Sequence, residues 1–137
     1  MIQDPIALAE IQQQWDGARQ LRERIKANAV FGFTGAHIPV LNLSSLAYNL
    51  PFLHACAVLN DALLQLRDEG VYACRSIFLG ALHNASKSAI PWNDWPLVGE
   101  LIDRRNELAH KAVVISRKDC FRYIEAIENE LRAWKIV

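Results

Sequence analysis

In the stretch IDRRNELAHKAVV, Ile102–Val114, a cation, an amide, a carboxylate and an imidazole fall within one and a half helical turns: Arg105, Asn106, Glu107 and His110. A guanidinium holds an oxyanion through paired N–H groups. Imidazole is the side chain that titrates nearest neutral pH, which suits it to taking and giving protons. Asn106 and Glu107 precede His110 by four and three residues, so either can reach its ring along the helix surface. Arg104 and Lys111 add cations on either side. The chemistry this set suits is anion binding coupled to proton transfer. The plainer alternative is a salt bridge at Arg105 and a histidine favoured by the C-terminal end of its helix.

A helix turns by about 100° per residue, so Leu101, Arg105, Leu108 and Ala112 are predicted to share one face. That face belongs to the apolar stripe Leu97, Val98, Leu101, Arg105, Leu108 and Ala109. A buried guanidinium without a partner is very costly. Arg105 therefore meets an anion, or the seam opens at this point into a cleft or an oligomer interface. Asp103, Asn106 and His110 form a polar edge beside the stripe.

Helices must position these groups. Asp4 and Pro5 start a first helix over about 5–29, with Ile11, Trp15, Ala18, Leu21 and Ile25 inward. The apolar, glycine-broken VFGFTGAHIPVLN is expected to lie over the bundle as a cap. A second helix is expected from Ser44 or Ser45, bending at Pro51 and ending at Gly70, with the seam Phe52, Cys56, Leu59, Leu63 and Leu66. A third is expected over about 72–88, with Cys74, Ile77, Phe78, Ala81, Leu82 and Ala85 inward. Asn93 or Asp94, with Pro96, starts the fourth, and the fifth runs over about 117–134 on the seam Cys120, Ile124, Ile127, Leu131 and Trp134. The expected fold is an all-α bundle of about five helices, four of them forming the core. The 137 residues make one domain, with helix one and the capping segment in residues 1–49 and the motif-bearing bundle in 50–137.

Composition narrows the function. Fifteen basic residues balance fifteen acidic ones, so any site for nucleic acid is local. The best local candidate lies between Asp103 and Arg122, where Arg104, Arg105, Lys111, Arg117, Lys118 and Arg122 outnumber Asp103, Glu107 and Asp119. Three cysteines with no CxxC spacing read as buried hydrophobes in a reducing, cytoplasmic setting. No signal peptide or membrane-spanning stretch is expected. His54 reads as a hydrogen-bonded core residue, and the four tryptophans read as core or interface. His54 and Cys56 lie on opposed faces, and His37 and His83 have no spaced partner, so no metal site is expected.

RRNELAH resembles the R-x4-6-H motif of HEPN domains, with Arg105, Asn106 and His110 in the corresponding positions. PFLHACAVLNDALLQLRDEG is similar to the long second helix of that family, and LIDRRNELAHK with DCFRYIEAIENELRAW to its C-terminal half, so the likeness covers about 50–134. The resemblance implies a metal-independent endoribonuclease without a cofactor, often a toxin or defence component. It implies a homodimer whose two motifs face each other across a cleft. Arg105, Asn106 and His110 would be catalytic, and Arg104, Lys111 and Glu107 would serve substrate binding, with Glu107 able to fix the imidazole tautomer. The implied partners are RNA and an antitoxin or regulatory protein. Ala112 stands where toxins paired with nucleotidyltransferase antitoxins usually carry tyrosine, so that modification site is absent. The resemblance also allows a non-catalytic module that binds a nucleotide or a protein.

Overall fold

The computed structural model describes the backbone of residues 1–34 and 47–137, and the side chains of 1–26 and 47–137. Among these residues the fold is all-helical: α1 Pro5–Thr34, α2 Asn49–Asp68, α3 Leu79–Ser86, α4 Trp95–His110 and α5 Arg117–Ala133. Ser44, Ser45 and residues 35–42 of the expected cap lie outside the described residues. The start of that segment, VFGFT, belongs to α1.

α2 is the central element and packs on all four other helices. Its sequence is suited to that place. Phe52, Ala55, Cys56, Val58, Leu59, Ala62, Leu63 and Leu66 are all buried and occupy far more of its circumference than one stripe. Each large side chain among them contributes about 2 kcal/mol by leaving water. Pro51 falls in the first turn, where its missing N–H breaks no helical bond, so α2 has no need of the expected bend. Gly70 ends the helix with φ +78°, and Val71 N–H returns to the Leu66 carbonyl.

α1 packs Ile11, Trp15, Ala18 and Ile25 inward, as its spacing predicts. Asp4 caps it by accepting from the N–H groups of Ile6 and Ala7. Glu69, at the far end of α2, accepts from the N–H groups of Gln3 and Asp4, so the start of α1 is fixed to the end of α2. Arg22 ties α1 to α5 through Glu128.

Two further expectations fail. The segment 71–78 is irregular, and α3 is a short helix of eight residues. Tyr72 donates its hydroxyl hydrogen to the Leu63 carbonyl (2.7 Å), and Arg67 binds the Ser76 carbonyl (3.1 Å). These bonds hold the segment along α2 and turn Ile77 and Phe78 outward, 61% and 73% exposed. His54 is not a core residue either. It lies on the exposed face of α2, with Nε2 3.2 Å from the Gln14 carbonyl of α1.

Candidate functional site

The functional candidates sit on α4, whose start is fixed three times over. Asp94 accepts from Leu97 N–H (3.0 Å), with Pro96 in the first turn. Glu130 of α5, only 1% exposed, accepts from the N–H groups of Asn93 (2.9 Å) and Asp94 (2.8 Å). Trp95 stacks on the His83 ring with centroids 3.5 Å apart. Trp92 meets His83, Trp95 and Trp134 edge to face. Val98, Leu101 and Ile102 then bury the middle of the helix.

Beyond Ile102 the stripe runs out. Arg105 and Leu108 are half-buried, and Ala109 is exposed. α4 stops at His110. Lys111 is extended (φ −132°, ψ 147°), so Ala112 leaves the face that helical periodicity assigns to it. The chain after the helix is held by Asn49 of α2. Its side-chain amide donates to the Val113 carbonyl (3.2 Å) and accepts from Ile115 N–H (2.9 Å). The fully buried Ile115 anchors the same segment. His110 is therefore exposed, yet it ends a helix secured on both sides.

Arg105 opens onto a groove of about 470 Å³. α2 forms one wall with Leu53, Ala57, Asn60 and Asp61. The segment before α3 forms another with Ile77 and Phe78, and Arg105 and Ala109 close the third. The guanidinium donates to the Asn106 side-chain oxygen (3.2 Å) and forms no salt bridge with a carboxylate among the described residues. Its seam does open into a cleft, one of the two outcomes its place in the stripe required.

The remaining candidates divide. Arg104 pairs with Glu107 (3.0 Å), so this carboxylate is turned to a cation and does not hold the His110 ring. His110 makes no hydrogen bond among the described residues. Five residues rotate by about 140° along a helix, so His110 stands off the groove that Arg105 lines. One chain brings Arg105 and Asn106 together and leaves His110 on the adjoining edge. Lys111, Arg117 and Lys118 are exposed at this end of the molecule, while Arg122 is occupied by Glu100 and Asp119.

Burial disfavours the thiolate form of both buried thiols. Burial pushes Cys56 far up, with only partial opposition from the nearby Arg105 charge, and pushes Cys120 up to about 12. The described residues contain no cluster of three His, Cys, Asp or Glu groups that could hold a metal, and no helix long and apolar enough to cross a membrane. Sequence reasoning missed Asn49, Asn60, Asp61 and Phe78. Phe78 was assigned to the core by period, and the other three are polar residues on a helix with no motif to mark them. The chain matches no protein-family description, no curated protein and no solved structure.

Proposed function

We propose that this protein is a metal-independent endoribonuclease of HEPN type, acting as a homodimer with a cleft between its two α4 helices. The observation that carries this reading is Arg105: a guanidinium at the end of an apolar stripe, bonded among the described residues only to a neighbouring amide and open to a groove. An anionic ligand is the missing partner, and a phosphodiester supplies one. The exposed Lys111, Arg117 and Lys118 favour an approaching polyanion. Lys118, in the first turn of α5, is disfavoured there by the helix dipole, so its presence suits an external anion, whereas Arg117 lies over the Phe121 ring of its own helix.

Cleavage requires three things of the protein. A base takes the proton of the ribose 2′-OH, and the oxygen attacks the adjacent phosphorus. A cation offsets the extra negative charge of the phosphorane. An acid then protonates the departing 5′ oxygen. His110 serves the proton transfers and Arg105 the phosphorane. Asn106 orients the guanidinium. A two-fold axis removes the difficulty of the 140° rotation, because Arg105 of one subunit can face the partner subunit's His110. With two imidazoles in one cleft, one acts as base and the other as acid. The products are a 2′,3′-cyclic phosphate and a 5′-hydroxyl end. A cytoplasmic toxin or defence role, with an antitoxin or regulatory partner, belongs to the same reading.

The test is end-labelled RNA incubated with purified protein in EDTA, beside His110→Ala and Arg105→Ala. Cleavage that both substitutions abolish, with cyclic-phosphate ends, is the expected result. RNA left intact by the unaltered protein, or cut equally well by all three, would favour a non-catalytic helical module instead. That second reading draws on His110 standing off the groove and on Glu107 being taken by Arg104.

A further inference from the structure

We infer that the groove in front of Arg105 is a base-recognition pocket that takes an unpaired guanine nucleotide. The inference rests on the ribonuclease reading for its RNA substrate, but the binding it describes is measurable without cleavage.

The groove carries one cation and one anion that do not pair with each other. Arg105 stands on the α4 wall and Asp61 on the α2 wall, with no salt bridge between them. A ligand complementary to both has an anionic end and an end that donates hydrogen bonds. A nucleotide has this character: phosphate for Arg105, a base edge for Asp61. A volume of about 470 Å³ lies in the usual range of small-molecule sites.

Asp61 selects among the bases. An ionised carboxylate only accepts hydrogen bonds, through two oxygens side by side. Guanine alone among the four RNA bases presents two adjacent donors, N1–H and N2–H, on its Watson–Crick edge. Adenine and cytosine place an acceptor beside their one amino group, and uracil flanks its single N–H with two carbonyls. Asn60, next to Asp61 on the same wall, makes no hydrogen bond among the described residues, and its amide can donate to guanine O6.

Phe78 supplies the stacking surface. A phenylalanine 73% exposed at a groove has no packing role in its own fold, and single-stranded bases are bound by stacking on such rings. Its position is fixed. Phe78 N–H donates to the Ser76 hydroxyl, and Arg67 holds the Ser76 carbonyl. Leu53 and Ile77 extend the apolar rim. Burial raises the Asp61 carboxyl above its ordinary value, and Gln14 of α1 and the nearby His54 oppose that rise only in part.

The experiment titrates the purified full chain with GMP, AMP, CMP and UMP, following amide shifts by NMR, and maps cut sites on end-labelled RNA. GMP is expected to bind at least about tenfold more tightly than the others, as one good bidentate base contact provides. Asp61→Asn is expected to remove that preference, and Phe78→Ala to weaken all four. Cuts are expected next to guanine. Equal binding of the four nucleotides, no binding, or GMP selectivity that survives Asp61→Asn would overturn the inference. So would Phe78→Asp converting a dimer to monomer with nucleotide binding unchanged, since the face would then belong to a second copy. Guanine selectivity without His110-dependent cleavage sinks the ribonuclease reading alone. His110-dependent cleavage without base preference sinks the pocket alone.

Discussion

The two ends of α4 follow opposite rules, and their two histidines show it most plainly. At the start, His83 is 4% exposed, stacked on Trp95, with Nε2 lacking a partner among the described residues. At the end, His110 is exposed, and its ring makes no hydrogen bond among the described residues. At the start, the Leu97 N–H is met by the Asp94 side chain and the Asp94 N–H by the buried Glu130. At the end, the apolar stripe gives way to an arginine that faces a groove. One half of the helix is held, and the other leaves polar groups open at a groove, where the proposed function places a ligand. Removing a side chain from the first half should cost stability and from the second half function.

The largest effect should come from the exposed end. His110→Ala is expected to reduce RNA cleavage by about 10²- to 10⁴-fold, the usual worth of a general acid or base. Its midpoint of denaturant unfolding should stay where it is, since an exposed, unbonded side chain contributes almost nothing to the fold. A fall in stability as large as that of a core substitution would erase the contrast between the two ends.

Glu130→Ala probes the opposite end. The carboxylate is buried and accepts from two backbone N–H groups, so its removal strands both donors as well as creating a cavity. A loss of about 3 kcal/mol is expected in urea unfolding. Activity per folded molecule should be unchanged, because α4 keeps its own Asp94 cap. A variant that unfolds no more easily than the parent would show that the Trp92, Trp95 and Trp134 cluster holds the helix without it.

The same division explains what was legible in the sequence. Local signals were read well. Asp4 with Pro5, Asp94 with Pro96 and the heptad of α5 gave helix starts and buried faces that the structure reproduces. Caps and periods act over a few residues, so a few residues reveal them. The segment 71–78 was misread because its apolar spacing fits a helix, while its real conformation is set by Tyr72 reaching Leu63 and Arg67 reaching Ser76. Such bonds leave no periodic trace. The candidate site was legible in the same measure. Arg105 announced itself by interrupting a stripe. Glu107 was assigned to His110 by spacing alone, yet Arg104 lies at the same spacing on the other side and carries the charge that wins. Asn49 and Asp61 come to α4 only through the packing of α2, which no short motif encodes.

His83 gives a pH dependence of middling size. Burial holds its ring down at about 4, well below the ordinary histidine value, with the nearby Lys87 acting in the same sense. The Trp95 backbone carbonyl and Asp103 act against it. The folded state therefore refuses a proton that the unfolded chain accepts below about 6.5. The stabilisation is complete above that value and is lost as pH falls toward 4. At about 1.4 kcal/mol per pH unit, the step from pH 7 to pH 5 should cost about 2 kcal/mol. His83→Phe should flatten this part of the stability profile, read from urea midpoints at each pH. An equally steep profile in the variant would assign the acid sensitivity to carboxylates elsewhere.

Arg104→Gln should have the smallest effect and is the sharpest probe of the exposed end. The Arg104–Glu107 pair joins partly exposed groups three residues apart, so its loss should cost only about 0.3 kcal/mol of stability. Its consequence lies in what it releases. Glu107 is three residues before His110 and is kept from the ring by Arg104. Freed of that cation, the carboxylate can turn to the imidazole and accept a hydrogen bond from it. The maximal cleavage rate should then change modestly, while KM for RNA stays where it is. Arg104→Lys should retain the pair and leave both quantities alone. If Arg104→Gln raises KM instead, Arg104 acts on the RNA backbone and not on Glu107. If neither quantity moves, both residues belong to the solvated face of α4, and the functional end narrows to Arg105, Asn106 and His110.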